Sequence, residues 1–290
     1  MGKMVRKAVF PVAGLGTRVL PMTKVLPKEM LPLVDRPLLQ NAVEEARAAG
    51  IEEFCFVSSR GKAMMEDHFD MHPELYAVLE NRGKADALDH ARRSEIASSL
   101  LTIVRQHQPL GLGHAIWCAK DFVGKDPFAI LLPDDVVLAD TPCLAQMMEQ
   151  YDQRGGNMVA VVEVPREQTS KYGILDVGHD DGTLAEIKGL VEKPDPAVAP
   201  STLSIIGRYI LQPEIFELLE TQERGAGGEI QLTDAMAKLI GTQPFHGVRY
   251  EGTRYDCGDK AGLIAANVAF ALARDDLKDE VRNLLAPLFD

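Results

Sequence analysis

Ala13-Gly14-Leu15-Gly16-Thr17-Arg18 follows the apolar run Ala8-Val9-Phe10-Pro11-Val12 and leads on to Leu20-Pro21 and Pro27-Lys28-Glu29-Met30-Leu31-Pro32. A buried strand that opens into a glycine turn and then meets cations is suited to holding phosphate. Glycine lets backbone N–H groups come close to an anion, because no Cβ stands in the way. Arg18, Lys24 and Lys28 add positive charge within the same loop. Two familiar phosphate-binding patterns do not fit. The string G-x-x-x-x-G-K-[ST] does not occur. In the G-x-G-x-x-G/A pattern Gly14 and Gly16 take the first two positions, but Val19 stands at the third. Pro21 and Pro27 argue against a long helix directly after the strand, since proline lacks an N–H and restricts its predecessor. G-x-G alone favours an ordinary strand-to-loop turn. The added Thr17-Arg18 and the PKEMLP segment turn the reading toward a long, cationic phosphate loop.

Around this loop the first half alternates two periodicities. Ala8–Val12, Ile51–Ser58, Leu100–Val104 and Phe128–Leu132 read as short apolar strands. Leu38–Ala49, much of 62–98, Gly113–Phe122 and Cys143–Asp152 read as helices, with Gly50 as a stop. Apolar strands separated by helices predict a parallel sheet with crossover helices. The second half spaces its strands more closely, at Met158–Val164, Gly173–Val177, Ile187–Glu192 and Leu203–Leu211, which suggests antiparallel additions. Pro213–Leu219, Ile230–Ile240, Ala261–Ala273 and Leu277–Leu285 read as helices. The sum is one α/β domain with a mixed, mainly parallel Rossmann-like sheet and a helical C-terminal appendage.

Composition narrows the partners. The 290 residues carry 43 acidic against 31 basic side chains, a net charge of −12, which disfavours nucleic acid or an anionic membrane as the main partner. A small anionic ligand remains compatible if the basic residues gather at its site. Cys55, Cys118, Cys143 and Cys257 have no C-x-x-C or zinc spacing, and read as reduced cysteines of a cytoplasmic protein. Gly14, Gly16 and Arg18 interrupt the N-terminal apolar run, against a signal peptide. Met1-Gly2 is not followed by the Ser or Thr that myristoylation favours, since Arg6 holds that position. The sequence contains no apolar stretch of membrane-spanning length.

Four further segments carry chemistry. The strand Phe128–Leu132 ends in Pro133-Asp134-Asp135, placing carboxylates where open α/β sheets bind ligands. Oxygen ligands there suit Mg²⁺, which takes one or two carboxylates plus substrate phosphates; a bare Asp pair is otherwise a solvated turn. Gln106 precedes Gly111-Leu112-Gly113-His114, a donor–acceptor side chain beside glycines that allow a flat ring to approach. The plainer reading is a flexible loop and helix start, with His114 structural. Tyr172-Gly173-Ile174 and Val191-Glu192-Lys193-Pro194 offer a carboxylate for sugar hydroxyls and a point charge for phosphate, or an exposed charge pair at a strand end. Tyr255-Asp256-Cys257-Gly258-Asp259 gives a late carboxylate that completes a metal site with Asp134, or else a turn aspartate.

The set and its order are more specific than any member. AGLGTR…PKEMLP, Q-x4-GLGHA, LLPDD, YGI…VEKP, GRY, GEIQLTDA and YDCG resemble, over roughly residues 5–275, the bacterial UTP–glucose-1-phosphate uridylyltransferases (UDP-glucose pyrophosphorylases) of the sugar-nucleotidyltransferase superfamily. The resemblance implies that Ala13, Gly14 and Gly16 contact the nucleotide through the backbone, and that Arg18 and Lys28 hold the triphosphate. It implies that Gln106 and Gly111 read uracil. It further implies that Asp134 binds Mg²⁺ with Asp256 as second ligand, that Gly173, Glu192 and Gly207 bind glucose, and that Lys193 holds the sugar phosphate. The partners implied are UTP, glucose 1-phosphate, UDP-glucose and pyrophosphate, in a cytoplasmic homo-oligomer, dimer or tetramer. A nucleotide-binding half is expected at about 5–140, a sugar-binding half at 141–260 and C-terminal helices at 261–290. A thymidylyl relative and a non-catalytic regulatory subunit are the rival readings; Asp134, Asp256, Arg18 and Lys28 together favour an enzyme. One departure stands out: Asp259 occupies a position where the family usually has Ser, which bears on the metal shell.

Overall fold

The computed structural model describes residues 3–221, 224–225 and 228–288. Met1-Gly2, which bears on myristoylation, lies outside the described residues. β1 (Lys7–Pro11) leads into the glycine loop, which continues as three single 3₁₀ turns at Thr17–Val19, Met22–Lys24 and Lys28–Met30 instead of a helix. Two short strands, β2 (Pro32–Leu33) and β3 (Arg36–Pro37), form a hairpin before α1 (Leu38–Ala48). β4 (Glu53–Ser58) is followed by α2 (Ala63–Phe69), α3 (Pro73–Asn81) and α4 (Ala85–Arg92), then β5 (Leu101–Arg105). The helix expected at 113–122 is two pieces, α5 (Leu112–Cys118) and α6 (Lys120–Val123). At the break the Ala119 N–H bonds to the Ile116 carbonyl, three residues back, which tightens the turn. β6 (Phe128–Leu131), β7 (Asp135–Leu138) and α7 (Cys143–Arg154) complete the first half.

The second half contains β8 (Asn157–Glu163), β9 (Gly173–Asp180), β10 (Leu184–Glu192), β11 (Leu203–Leu211), α8 (Ile215–Glu220), α9 (Leu232–Leu239), β12 (Phe245–Arg249) and β13 (Thr253–Asp256). The appendage is α10 (Lys260–Leu272) and α11 (Lys278–Leu285). Among the described residues, nine strands form one sheet in the order β5-β4-β1-β6-β11-β8-β12-β10-β9. Its neighbouring pairs divide evenly. β5/β4, β4/β1, β1/β6 and β8/β12 are parallel, and the other four are antiparallel. The mixed α/β sheet expected from the sequence is therefore present, with a smaller parallel share, because the parallel run stops at β6. β13 pairs with β7 in a separate two-stranded ribbon.

Strand alternation builds the core on both faces. Val9, Cys55, Val57 and Ile130 face α5, α8 and α9. Ala8, Phe10, Phe54, Phe56, Ala129 and Leu131 face α1 and α7. With both faces covered, the central strands must be apolar throughout, and β6 is fully buried along its length. A third cluster, including Val19, Leu33, Val136, Cys257 and Ala266, ties the loop after β1 to α10. None of the described helices is long and apolar enough to cross a membrane. The four cysteines are free thiols, with Cys55, Cys143 and Cys257 buried and Cys118 half-buried.

Candidate active site

The parallel strands β1, β4, β5 and β6 end at one edge, and each delivers a loop there. The loop after β1 holds Gly16 at φ 66°, a left-handed conformation in which a Cβ would also press on Thr23 and Lys28 at 3.1 Å. Thr23 Oγ1 donates to the Gly16 carbonyl at 2.7 Å and closes the turn. The loop after β4 brings the buried Lys62, whose ammonium donates to the Val12 carbonyl (2.5 Å), the Gly14 carbonyl (2.7 Å) and Glu29 Oε2 (3.0 Å).

Lys28 and Glu29 are neighbours on one 3₁₀ turn and face opposite ways. Glu29 turns in to Lys62, while Lys28 Nζ reaches Asp134 Oδ2 at 2.5 Å. Arg18 sits more loosely, 4.0 Å from Asp134 and 3.9 Å from Asp256. Burial opposes ionisation of Asp134, but the charge and hydrogen bond of Lys28, with Arg18, outweigh it and hold the carboxyl below its ordinary range. Asp256 moves the other way. Burial raises it, and the nearby Asp135 charge adds to the rise against a hydrogen bond from the Gly258 N–H.

Asp134 and Asp256 are brought together, as expected. The Cys257 N–H donates to the Asp134 carbonyl at 2.7 Å, locking the two turns to each other. Between them lies Gly258. A Cβ there would clash with Arg18 and lie 2.8 Å from Asp256 Oδ1 and 3.0 Å from Asp134 Oδ2. The glycine leaves a small cradle into which one oxygen of each carboxylate faces. Among the described residues no cluster of three or more metal-ligating side chains occurs. Two carboxylates with room for phosphate oxygens are a donor set that fits Mg²⁺.

Asp259 does not join this pair. Its carboxylate accepts from the Gly262 N–H at 2.8 Å as the N-cap of α10. Ser and Asp are both good N-caps, so the departure from the family pattern has a structural reason outside the metal shell.

A cavity of about 400 Å³ beside the glycine loop is lined by Ala13, Leu15, Arg60, Gln106 and His107, among others. Gln106 Nε2 donates to the Gly111 carbonyl and to His114 Nδ1, both at 3.0 Å. His114 therefore carries its proton on Nε2, and burial lowers its pKa, consistent with a structural histidine. Gly111 and Gly113 do allow a close approach, and on the side a Cβ would occupy it is made within this chain. A Cβ on Gly111 would lie 2.7 Å from Glu229 Cβ, and one on Gly113 2.8 Å from the Ile230 carbonyl. The space these glycines leave is filled by the 229–230 backbone, bonded through Gly113 N–H to Ile230 O and Ile230 N–H to Leu110 O.

On the far side of the loop a second cleft, about 300 Å³, joins Arg18, Asp134 and Asp256 to Gly173, Glu192, Lys193 and Gly207. Glu192 Oε2 accepts from Thr233 Oγ1 at 2.8 Å, and Lys193 Nζ lies 3.4 Å from Glu192 Oε1. Lys193 adopts φ 48°, which turns its side chain out of line with β10. Gly207 is forced by packing, since a Cβ would lie 2.7 Å from Leu132 Cβ and 2.9 Å from Asp135 Cβ.

Three supports of the cleft escape sequence reading. Asp135 is bound by Arg254 (2.6 and 3.1 Å) and by the Gly207 N–H (2.8 Å), so the second aspartate of the pair is a brace. Arg254 in turn lies over the Tyr172 ring at 5.0 Å. The fully buried Arg208 forks onto Glu45 (2.9 and 2.8 Å) and donates to the Leu132 and Gly207 carbonyls. The GRY motif contained that last signal; the partner Glu45, on α1, did not announce itself.

A mixed α/β sheet with a cationic glycine loop after β1 and a carboxylate pair across the cleft defines a nucleotidyltransferase, and the nucleotidyl transferase family model matches residues 7–271. A UTP–glucose-1-phosphate uridylyltransferase of Komagataeibacter xylinus is 56% identical over 285 residues, 98% of each chain. One of Bacillus subtilis (strain 168) is 49% identical over 281 residues, 96% of this chain and 95% of the relative. A UTP-bound UGPase structure from Acinetobacter baumannii aligns with TM-score 0.89 and 41% identity, covering 97% of this chain and 99% of the other. The chain belongs to the nucleotidyl transferase family, in its UTP–glucose-1-phosphate uridylyltransferase branch.

Proposed function

We infer that the protein transfers the uridylyl group of UTP to glucose 1-phosphate, giving UDP-glucose and pyrophosphate. The observation that supports this reading is the single cleft in which Arg18, Asp134 and Asp256 meet Glu192 and Lys193. A phosphate monoester dianion is already a nucleophile at neutral pH, so no general base is needed. The work left to the protein is to hold two anions in line and offset their repulsion. Arg18 and Lys28 hold the triphosphate, with backbone contacts from Ala13, Gly14 and Gly16. Gln106, with Gly111, reads the base beside the loop, and the Gly111 carbonyl also fixes the Gln106 amide. Lys193 holds the sugar phosphate, while Gly173, Glu192 and Gly207 shape the glucose site.

Asp134 and Asp256 would hold Mg²⁺, which supplies charge neutralisation on the reacting phosphates. The half up to about residue 140 then serves the nucleotide, 141–260 the sugar, and 261–290 assembly. Exposed Ile264, Leu284 and Leu288 on the C-terminal segments support a homo-oligomer, dimer or tetramer. The free cysteines suit a reducing cytoplasm. The test is pyrophosphate release over a panel of nucleoside triphosphates and sugar 1-phosphates. The reading predicts the highest kcat/KM for UTP with glucose 1-phosphate, and fails if another pair exceeds it.

A further inference from the structure

Lys62 lies 48 residues from the loop it touches, at the N-cap of α2, and its side chain is 8% exposed. An ammonium has three protons. All three are used, by Val12 O, Gly14 O and Glu29 Oε2. No donor is left for a ligand, so Lys62 acts only through what it holds.

What it holds is the direction of two peptide planes. The bonds 12–13 and 14–15 are trans, and in a trans peptide the carbonyl and the following N–H point opposite ways. Gathering the Val12 and Gly14 carbonyls onto one ammonium therefore turns the N–H groups of Ala13 and Leu15 away from Lys62. Neither N–H has an acceptor among the described residues. Ala13 and Leu15 line the cavity that also holds Gln106. Two unpartnered N–H groups turned away from the same ammonium can meet one anion. The third proton fixes Glu29 and, through the same 3₁₀ turn, the base from which Lys28 reaches Asp134.

We propose that Lys62 is the positioning residue of the nucleotide site: its ammonium, neutralised by Glu29, aims the Ala13 and Leu15 N–H groups at a phosphate of the nucleoside triphosphate and sets the turn carrying Lys28. The proposal rests on the uridylyltransferase reading for its substrate, and on the loop geometry for the rest.

Lys62→Met keeps the length of the side chain and removes the three donors. It lowers kcat/KM for UTP about 100-fold, the scale of losing oriented backbone donors to an anion, while KM for glucose 1-phosphate moves less than about twofold. Thermal stability falls as well, because Glu29 is left buried and unpaired. The double variant Glu29→Gln/Lys62→Met removes that unpaired charge. It recovers most of the melting temperature and none of the kcat/KM for UTP. Recovery of both together, or a single variant with near wild-type kcat/KM, overturns the proposal. Should the variants not fold, the wild-type protein decides: inorganic pyrophosphate added to ¹⁵N-labelled protein shifts the Ala13 and Leu15 amide resonances, and unmoved resonances overturn it. An inactive wild-type enzyme with UTP and glucose 1-phosphate would instead remove the substrate reading, leaving the pyrophosphate titration to judge the loop.

Discussion

The two sides of the cleft hold their cations differently. On the nucleotide side Lys62 has three acceptors, and Lys28, with a 20% exposed side chain, is bonded to Asp134 at 2.5 Å. On the sugar side Lys193 is 50% exposed and stands 3.4 Å from Glu192. A buried, saturated cation is in place before any ligand arrives. An exposed one at ion-pair distance is screened by water and gains little from its partner, so it is free to re-pair with a phosphate. On the proposed division of the site, the Lys62–Lys28 part of the nucleotide side is preformed, whereas Arg18, 61% exposed and 4.0 Å from Asp134, and Lys193 settle only around their ligands.

The largest effect is expected where the preformed side is broken. Asp134→Asn removes one of the two carboxylates facing the Gly258 cradle and the partner of the half-buried Lys28. Turnover at saturating Mg²⁺ falls about 10³-fold, with far-ultraviolet circular dichroism unchanged. Turnover within tenfold of wild type would dissolve the metal assignment and with it the contrast. Next comes the sugar side. Lys193→Ala raises KM for glucose 1-phosphate about tenfold to hundredfold, the loss of a hydrogen bond to a charged group. UTP affinity by calorimetry stays within about twofold of wild type. A large loss of UTP affinity would assign Lys193 to the triphosphate and erase the division between the two sides.

The parts legible in the sequence are those encoded locally. The strand into the glycine loop, the proline-broken segment after it and the paired aspartates after β6 are each written within a few consecutive residues. Lys62, Arg254 and Glu45 were not legible, because their partners depend on strand order. Lys62 meets the glycine loop since β4 lies beside β1, and Arg254 meets Asp135 since β13 pairs with β7. β7, β12 and β13 were missed as strands for a related reason. Each is four or five residues long, with charged residues at one or both ends and, in β12, an internal glycine, so neither a period of two nor an apolar run stands out. Gly111 and Gly113 show the limit of reading glycines. They mark a close approach without naming its partner, and on the side a Cβ would occupy that partner is the 229–230 backbone.

A smaller effect concerns how the preformed side reads its base. Because Gln106 Nε2 is committed to Gly111 and His114, the carbonyl Oε1 is the amide atom left to face the cavity. An acceptor matches the N3–H of uracil, whereas cytosine presents a bare N3 and would leave two acceptors opposed. Gln106→Ala lowers kcat/KM for UTP and narrows its advantage over CTP by about tenfold, the worth of one or two hydrogen bonds in a buried site. Side-by-side kinetics with both nucleotides decide it, and an unchanged UTP/CTP ratio removes Gln106 from base reading.

The smallest effect tests where the preformed side ends. Asp259 follows Asp256 by three residues, close enough in sequence to be taken for a third acidic group of the cradle, yet its oxygen bonds the Gly262 N–H at the start of α10. An N-cap contributes through a short side-chain oxygen, which Ser supplies as well as Asp, while Ala supplies none. Asp259→Ser therefore leaves both melting temperature and turnover near wild type. Asp259→Ala costs about 1 kcal/mol of stability, and turnover at saturating Mg²⁺ does not move, since α10 packs behind the cleft and the Asp134–Asp256 pair is anchored by Cys257 and Gly258. Titrating Mg²⁺ against activity separates the two roles. If either variant shifts the Mg²⁺ concentration giving half-maximal rate, Asp259 belongs to the cradle, and the boundary between helix cap and metal shell has to be redrawn.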